Sequence, residues 1–335
     1  MSVTIAGNSI NLPEADKSAK DDSMTKTNTT AHSAKWGVLF AFLGASLFAA
    51  LNVALRFSEP YLTVWHVMFG RSLFGVVAML AIARWMRVDL FGRHRPTLVL
   101  TGLTGVGGVT CLMVAIYMLP LFEALVLLYL YPVFAAILSP YVAEDRNRGM
   151  DWLLIGLAFI GTVLILWSTQ TAGRLQWGYL AGLAAGFGYG LTNTLIRRVS
   201  AFNSPLTPFY YISLVGTVVC IGPLLLQQSP ILVRSQGAIG LLVISVLAVT
   251  AHLASNKALS YLPSPKIGVI GMSEVVFGAI LGLVLFNELM ELRSVLGGCL
   301  IIGSGILLTV RSTAKLGQLD SEAQEKEVRE ILKID

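Results

Sequence analysis

The sequence contains little charge. Asp, Glu, Lys and Arg make up 13% of its 335 residues, whereas apolar residues make up 55% and the mean hydropathy is +0.72. An ordinary soluble domain has roughly 25% charged residues, and a soluble fold of this length could not bury so much apolar surface. Runs of about 20 apolar residues, long enough to cross the hydrocarbon of a bilayer, recur along the chain. These features are typical of a polytopic membrane protein.

Motifs of metal, redox and hydrolytic chemistry are also absent. The three cysteines, Cys111, Cys220 and Cys299, lie singly in apolar runs, so neither a disulfide framework nor a zinc site is indicated. The chain has no Gly-x-x-x-x-Gly-Lys-Ser/Thr phosphate loop, no His-Glu-x-x-His and no Gly-x-Ser-x-Gly element. We therefore expect no enzymatic activity, no direct use of ATP, no cofactor and no metal.

The two halves of the chain are copies of each other. The stretch YPVFAAILSPYVAED at 131–145 recurs as EVVFGAILGLVLFNE at 274–288, and both end in an acid. Other matches follow a similar spacing, displaced by 141 residues instead of 143: Trp36-Gly37, Asn52 and Arg56 recur as Trp177-Gly178, Asn193 and Arg197. Solenoid repeats recur every ~20–50 residues, so a period this long indicates duplication of a whole domain.

Apolar runs define ten spans, five in each copy. They lie at about 36–57, 61–83, 98–118, 121–142, 151–169, 177–198, 205–226, 237–261, 264–286 and 292–311. Because each half has an odd number of spans, the two halves must lie antiparallel in the bilayer. We predict an all-α integral membrane fold, with ten transmembrane helices forming an inverted repeat of two five-helix halves.

Four segments follow from this reading. We expect a disordered cytoplasmic N-terminal tail at 1–34, a first five-helix repeat at 35–170, a second at 176–312 and a cytoplasmic C-terminal tail at 313–335. The C-terminal tail is either a short amphipathic helix or disordered, and Met24 is an alternative start.

Basic residues predict the orientation. With both termini in the cytoplasm, the inner loops contain nine: Arg84, Arg87, Arg93, Arg95, Arg146, Arg148, Arg197, Arg198 and Lys266. The outer loops contain four: Arg56, Arg174, Arg234 and Arg293. This asymmetry favours a multi-pass protein of the inner (cytoplasmic) membrane with both termini inside. The same topology explains the net charge of +5 without a nucleic-acid partner.

Two ionisable residues lie near the middle of spans. A charge at mid-bilayer costs at least ~2.5–3.5 kcal/mol, so Arg71 in span two and Glu274 in span nine should face a cavity or a partner. In the functional interpretation, Glu274 takes up a proton or holds a cationic group, and Arg71 holds an anionic group. In the structural alternative, the two pair with each other, or with hydroxyls and carbonyls, to fix helix packing.

Span eight has a polar stripe. His252, Asn256 and Ser260 lie four residues apart and share one helical face, which should point to the interior because lipid would penalise it. His252 is a candidate proton relay, with interhelical hydrogen bonding as the alternative. Lys257 either reaches the membrane interface with its long side chain or enters the cavity.

Other candidates come from the repeat. Tyr131 holds in span four the place of Glu274, so we expect it in a substrate pocket, whereas Tyr129, turned about 200° around a continuous helix, should face elsewhere. His66 lies near Arg71. Asn52 and Asn193 are a matched polar pair that serves binding or packing. Glu123 and its counterpart Lys266 open spans four and nine and are candidate gate residues or simply solvated helix ends.

The chain resembles the ten-helix, EamA-type branch of the drug/metabolite transporter (DMT) superfamily. The resemblance rests on Arg71, on the Pro132-Val-Phe-Ala-Ala-Ile-Leu run that ends in an acid, on the preceding Ala-x-x-x-Leu-Pro and on Gly-x-x-x-x-Gly in spans five and ten. It implies a secondary carrier of small metabolites, often an exporter. The family's Glu-Pro pair is split here, with Pro132 in one copy and Glu274 in the other.

We therefore expect proton-coupled export of a small polar or zwitterionic, amino-acid-like metabolite by alternating access. Uptake of a vitamin or nucleotide-like compound is the alternative transport function, and a non-transporting membrane scaffold is the alternative of another class. The expected partners are a small-molecule substrate, the lipid bilayer and protons, while a homodimer stays open.

Overall fold

The computed structural model describes residues 14–142, 149–168, 174–226, 235–262 and 264–331, and all of its regular structure is helical. The first half contains α1 (Glu14–Ser58), α2 (Val64–Met86), α3 (Arg95–Met118), α4 (Leu121–Leu128), α5 (Tyr131–Val142) and α6 (Gly149–Ser168). The second half contains α7 (Arg174–Val199), α8 (Leu206–Leu226), α9 (Ser235–Leu259), α10 (Ser264–Gly271), α11 (Ser273–Phe286) and α12 (Leu292–Ile331). The all-α membrane fold is therefore confirmed.

Nine membrane-spanning stretches satisfy length and hydropathy within the described residues. The predicted sixth span corresponds to α7, whose 26 residues reach about 39 Å. Glycines, threonines and Asn193 lower the hydropathy of α7. It packs along α3, α4 and α5 inside the bundle, where such residues allow close approach.

The ends of the chain differ in part from the predicted tails. α1 already begins at Glu14, so residues 14–34 are helical where we expected disorder, and residues 1–13 lie outside the described part. A long apolar helix can extend into polar sequence that contains good helix formers such as Ala and Lys. α12 continues to Ile331, which matches the helical alternative for the C-terminal tail.

Helix packing follows the inverted repeat. α1 packs against α9 just as its counterpart α7 packs against α3, and the equivalent pairs α2 with α8 and α6 with α12 meet across the bundle. Two glycines show the same relation at single residues: Gly37 lies against Leu262, and its counterpart Gly178 lies against Leu119. Each half is therefore completed by helices of the other.

Spans four and nine are broken near their middles, which the sequence reading did not predict. α4 ends at Leu128 and α5 begins at Tyr131, where Pro132 has no N–H to donate to the carbonyl of Leu128. α10 ends at Gly271 and α11 begins at Ser273. Irregular backbone at membrane depth must be satisfied inside the protein, so both breaks face the interior of the bundle.

A glycine seam between α6 and α12 gives the first prediction. A Cβ on Gly161 would lie 2.6 Å from the carbonyl oxygen of Gly297, whereas a Cβ on Gly156 would meet nothing within 4 Å. Gly161→Ala should therefore lower the free energy of unfolding by about 1–3 kcal/mol through overpacking. Gly156→Ala on the same helix should leave it unchanged or raise it. Thermal unfolding of both variants in detergent measures the difference, and equal stabilities would contradict the seam.

Candidate functional site

Glu274 lies at the centre of the bundle, in the first turn of α11 directly after the break. Its Oε1 accepts a hydrogen bond from Nδ2 of Asn52 on α1 at 2.7 Å, and its Oε2 lies 2.9 Å from the hydroxyl of Tyr129. All three residues are buried. The carboxyl group thus has two polar partners, and neither is a cation.

Tyr129 reaches Glu274 because span four is broken. The expectation that Tyr129 faces away from Tyr131 was wrong, since the two rings lie 5.7 Å apart. α4 ends one residue before Tyr129, so the turn of 100° per residue no longer applies across the break. Its hydroxyl also lies 2.7 Å from the carbonyl oxygen of Gly271. Tyr129 therefore joins the broken span four to the broken span nine.

Arg71 lies in the middle of α2 and is half-buried. Within the described part of the chain its guanidinium makes neither a hydrogen bond nor an ion pair, so pairing with Glu274 is not observed. It interacts electrostatically with Tyr189 on α7 and with His252 on α9. Tyr189 in turn interacts with both Arg71 and Glu274. The two ionisable groups therefore share one interior region.

Sequence reasoning missed Tyr189. Its repeat counterpart is Phe48 of α1, and the two sites differ by a hydroxyl group. Phe48 packs edge-on against His252 with ring centroids 4.9 Å apart, and Phe209 contacts the same imidazole at 4.4 Å. A comparison of the aromatic residues between the copies would have found the signal.

The stripe on α9 lies only partly in this region. His252 packs between two phenylalanine rings, and the amide nitrogen of Asn256 is buried with no hydrogen-bond partner among the described residues. Ser260 is exposed. Lys257 is exposed as well, and its ammonium lies 5.4 Å from the ring centroid of Tyr261, as expected for a side chain that reaches the interface.

Three further candidates have different surroundings. Tyr131 is half-buried beside Tyr129 and interacts electrostatically with Glu274. Nδ1 of His66 lies 2.7 Å from the hydroxyl of Thr63 at the start of α2. Asn193 is exposed and donates to the Tyr189 carbonyl of its own helix at 2.9 Å. The matched asparagines therefore differ, and only Asn52 contacts Glu274.

A second polar cluster closes one end of the bundle. We call the end where α1 enters at Lys35 and α12 leaves at Arg311 the terminal face, and the opposite end the far face. At the far face Glu288 accepts the backbone N–H of Leu121 at 2.7 Å and lies 3.7 Å from Arg56. Arg56 also donates to the carbonyl of Ile116. Burial raises the pKa of Glu288, and the Leu121 N–H and Arg56 offset this in part.

Glu123 adds to this closure. Its carboxylate accepts the hydroxyls of Tyr179 on α7 and Ser294 on α12, the latter at 2.7 Å. Glu123 is only 7% exposed although it stands in the first turn of α4. A carboxylate fixed by two hydroxyls from other helices holds the far ends of α4, α7 and α12 together.

Around the broken spans, the terminal face lacks an equivalent closure within the described residues. At the far face α4 packs on α11, with Leu125 against Gly278, whereas their repeat counterparts α10 and α5 make little contact. Arg197 and Lys266, the counterparts of Arg56 and Glu123, are exposed.

The terminal face has contacts elsewhere. Asn203 bonds the backbone N–H and carbonyl of Arg93, and Tyr211 donates to the carbonyl of Phe91. Among the described residues, the two broken spans therefore pack together at the far face and stay apart at the terminal face.

No cluster of three or more His, Cys, Asp or Glu that could hold a metal ion occurs among the described residues. The polar groups at the centre are one guanidinium, one carboxyl, one imidazole, two asparagine amides and three phenols. Such a set can bind a charged solute and exchange a proton.

The EamA-like transporter family model matches the chain twice, at 35–167 and 176–311. The chain is 26% identical over 278 residues to the pseudopaline exporter CntI of Pseudomonas aeruginosa, in strain UCBPP-PA14 and in strain PAO1, covering 82% of this chain and 96% of the exporter. A solved structure described as the crystal structure of a protein aligns with a TM-score of 0.58 and 17% identity, over 82% of this chain and 96% of that one.

The two family matches correspond to the two halves of the duplicated sequence and together cover most of the chain. The similar solved structure supports the fold. The chain therefore belongs to the EamA-like transporter family of the DMT superfamily and is a multi-pass membrane secondary transporter of small molecules, not an enzyme.

Proposed function

We propose that the protein exports a small polar or zwitterionic, amino-acid-like metabolite by alternating access, coupled to protons, across the inner membrane with both termini in the cytoplasm. The observation that carries this proposal is the half-buried guanidinium of Arg71, which makes no hydrogen bond or ion pair among the described residues and interacts with Tyr189, as Glu274 does. The substrate would supply the missing partner.

Arg71 would bind the anionic group. An unpaired guanidinium inside a membrane protein is costly, and its five donors in a planar fork suit a carboxylate. The neighbouring tyrosines add hydroxyls and ring faces for the rest of a small solute. A carboxylate with a nearby amino group, as in amino acids, fits a site with one cation and one titratable carboxyl.

Glu274 would carry the proton. Its partners Asn52 and Tyr129 are uncharged, so the group has no fixed counter-ion. Buried acids in membrane carriers commonly serve as proton relays. Its repeat counterpart is Tyr131, so the fold itself does not require an acid at this position.

The unequal faces support alternating access. An inverted repeat can exchange the packing of its two halves, which opens one face as the other closes. Here the broken spans pack together at the far face and not at the terminal face, so the site would open between them towards the terminal face, which is cytoplasmic in the predicted orientation. An exporter must load substrate from that side, and the relative CntI is an exporter of pseudopaline.

A second candidate is uptake of a vitamin or nucleotide-like compound. The Tyr129–Tyr131 pair beside Glu274 favours it, because aromatic faces stack on planar rings. Accumulation in vesicles, measured with and without a protonophore, separates the two directions of transport.

Arg71→Ala tests the anion site. Loss of a charged hydrogen bond worth ~1.5–3 kcal/mol should raise the substrate concentration for half-maximal transport roughly 10- to 150-fold. The stability of the free protein should not fall, because the guanidinium makes no hydrogen bond or ion pair among the described residues and its burial is costly. The substrate is first found by thermal-shift screening of the purified protein against a metabolite library, because a ligand that binds only the folded state raises its stability.

Arg84→Ala on the exposed end of α2 is the matched control and should transport normally. If Arg71→Ala instead lowered stability while the half-maximal concentration stayed the same, Arg71 would be a packing residue and the anion site would be wrong.

Glu274→Gln tests proton coupling. The amide keeps an oxygen for Asn52 but cannot release a proton, so proton-driven accumulation in proteoliposomes should be lost while substrate-for-substrate exchange continues. Glu291→Gln, at an exposed position before α12, should keep both activities. Gradient-driven accumulation that survived in Glu274→Gln would place the coupling group elsewhere.

Glu288→Ala tests the far face. It removes the acceptor of the Leu121 N–H and the partner of Arg56, so the closed face should open about ten times more often. A Leu125→Cys reporter, in a background without the three native cysteines, measures this opening as the rate of labelling by an impermeant thiol reagent. Leu125 is fully buried under the closed face.

The same reporter gives a pH dependence. Burial raises the pKa of Glu288 in the closed face above that of an exposed carboxyl, so protonation favours closure. This contribution is complete below the ordinary carboxyl pKa of ~4.3 and is lost as the pH rises through the raised value. Because the thiolate is the reactive form, the rate is divided at each pH by that of a fully exposed cysteine. The normalised labelling should increase with pH, and Glu288→Gln should remove that increase. An unchanged profile in Glu288→Gln would assign it to another group.

A further inference from the structure

The hydroxyl of Tyr129 lies between two acceptors. It is 2.7 Å from the carbonyl oxygen of Gly271 and 2.9 Å from Oε2 of Glu274. A phenol has one proton to donate, and a backbone carbonyl has none. One proton shared between two acceptors makes two weak bonds, so both contacts are full two-centre hydrogen bonds only when Tyr129 donates to Gly271 and a protonated Glu274 donates to the phenol oxygen.

The carbonyl of Gly271 depends on this bond because the helix is broken beside it. In a continuous helix the N–H of Val275 would donate to Gly271, four residues earlier. Here that N–H donates to Met272 at 3.1 Å instead. The Tyr129 hydroxyl thus replaces the backbone bond that the break removes.

Ionisation of Glu274 changes the arrangement. A carboxylate accepts hydrogen bonds more strongly than a neutral carbonyl, so the single phenol proton turns to Oε2. The phenol oxygen and the Gly271 carbonyl then face each other as two acceptors, and they must separate. Nδ2 of Asn52 donates to Oε1 in either state, at 2.7 Å here, and so keeps the carboxyl group in place.

We propose that Tyr129 is a positioning residue that transmits the protonation state of Glu274 to the break between α10 and α11. When Glu274 is protonated, Tyr129 holds the end of α10 through Gly271. When Glu274 is ionised, Tyr129 binds the carboxylate and releases α10. This inference rests on the proposed role of Glu274 as the proton site.

Release of α10 would change the packing at the terminal face. α10 runs from the break to that face and carries Lys266 at its exposed end. Gly268, in the middle of α10, faces the Tyr131 hydroxyl, and a Cβ there would lie 3.8 Å from it. A change at Gly271 therefore moves the segment that borders the terminal face. Proton transfer at mid-membrane would in this way open or close access from that side.

The other groups around Glu274 do not offer the same link. Three titratable groups interact with Glu274: Tyr129 in the break before α5, Tyr131 in α5 and Tyr189 in α7. α1 contributes the uncharged Asn52. Arg71 on α2 and His252 on α9 interact with each other, and neither makes a hydrogen bond or ion pair with Glu274 among the described residues. Within the described residues, Tyr129 alone bonds both the carboxyl and the break, so Tyr131→Phe is the matched control.

Hydrogen exchange tests the proposal on the full-length protein in nanodiscs. The peptide 264–276 is followed at pH 5 and pH 9, with exchange times rescaled for base catalysis against a peptide from α6. In the wild type and in Tyr131→Phe, exchange of 264–276 should be several-fold faster at high pH. In Tyr129→Phe this ratio should fall to about one. Glu274→Gln, whose amide can still donate to the phenol oxygen, should exchange slowly at both pH values.

The outcomes separate the two proposals. A pH-dependent ratio that persists in Glu274→Gln would show that Glu274 is not the proton site and would overturn both. Slow exchange in Glu274→Gln, together with a wild-type ratio in Tyr129→Phe, would overturn the role of Tyr129 alone. If Tyr129→Phe did not fold, fast exchange in Glu274→Gln would still contradict the link.

Discussion

The hydrogen bonds from Asn52 and Tyr129 to Glu274 are the contacts on which the centre of this protein depends. They join α1, the α4–α5 break and α11 at one carboxyl group, at a depth where water cannot replace a lost partner. Two broken spans meet there, and the Tyr129 hydroxyl from one break satisfies the Gly271 carbonyl of the other. The polar groups of the site therefore lie at the two helix breaks, which would be unfavourable in contact with lipid.

Much of the fold could be predicted from the sequence because the bilayer leaves few choices. Apolar runs of the right length gave the spans, and the odd number of spans in each copy gave the inverted repeat. The breaks at Tyr129 and Met272 could not be predicted in this way, because both lie within stretches that are long and apolar enough to be single spans. A proline at 132 marks one break, but nothing at the corresponding Val275 marks the other.

Some residues of the candidate site could be predicted from the sequence, and others could not. Arg71 and Glu274 were predictable because a charge inside a span needs a reason, and the structure brings them into one region through Tyr189. Tyr129 was misplaced because helical periodicity was extended across a break. Asn193 matched Asn52 in sequence yet lies exposed on a helix with different neighbours. Repeat symmetry predicts position in the scaffold, but it does not predict the contacts of a side chain.

The duplication also bears on the balance between the two forms that the proposed alternating access requires. Two identical inverted halves would give the inward-facing and outward-facing forms equal free energy, because a two-fold rotation about an axis in the membrane plane would convert one into the other. Every mismatched pair removes that equality, and here Glu274 stands opposite Tyr131, Tyr129 opposite Met272 and Glu123 opposite Lys266. The resting bias of the carrier is therefore encoded in the differences between its copies, and changes that make the copies more alike should move it towards equal occupancy.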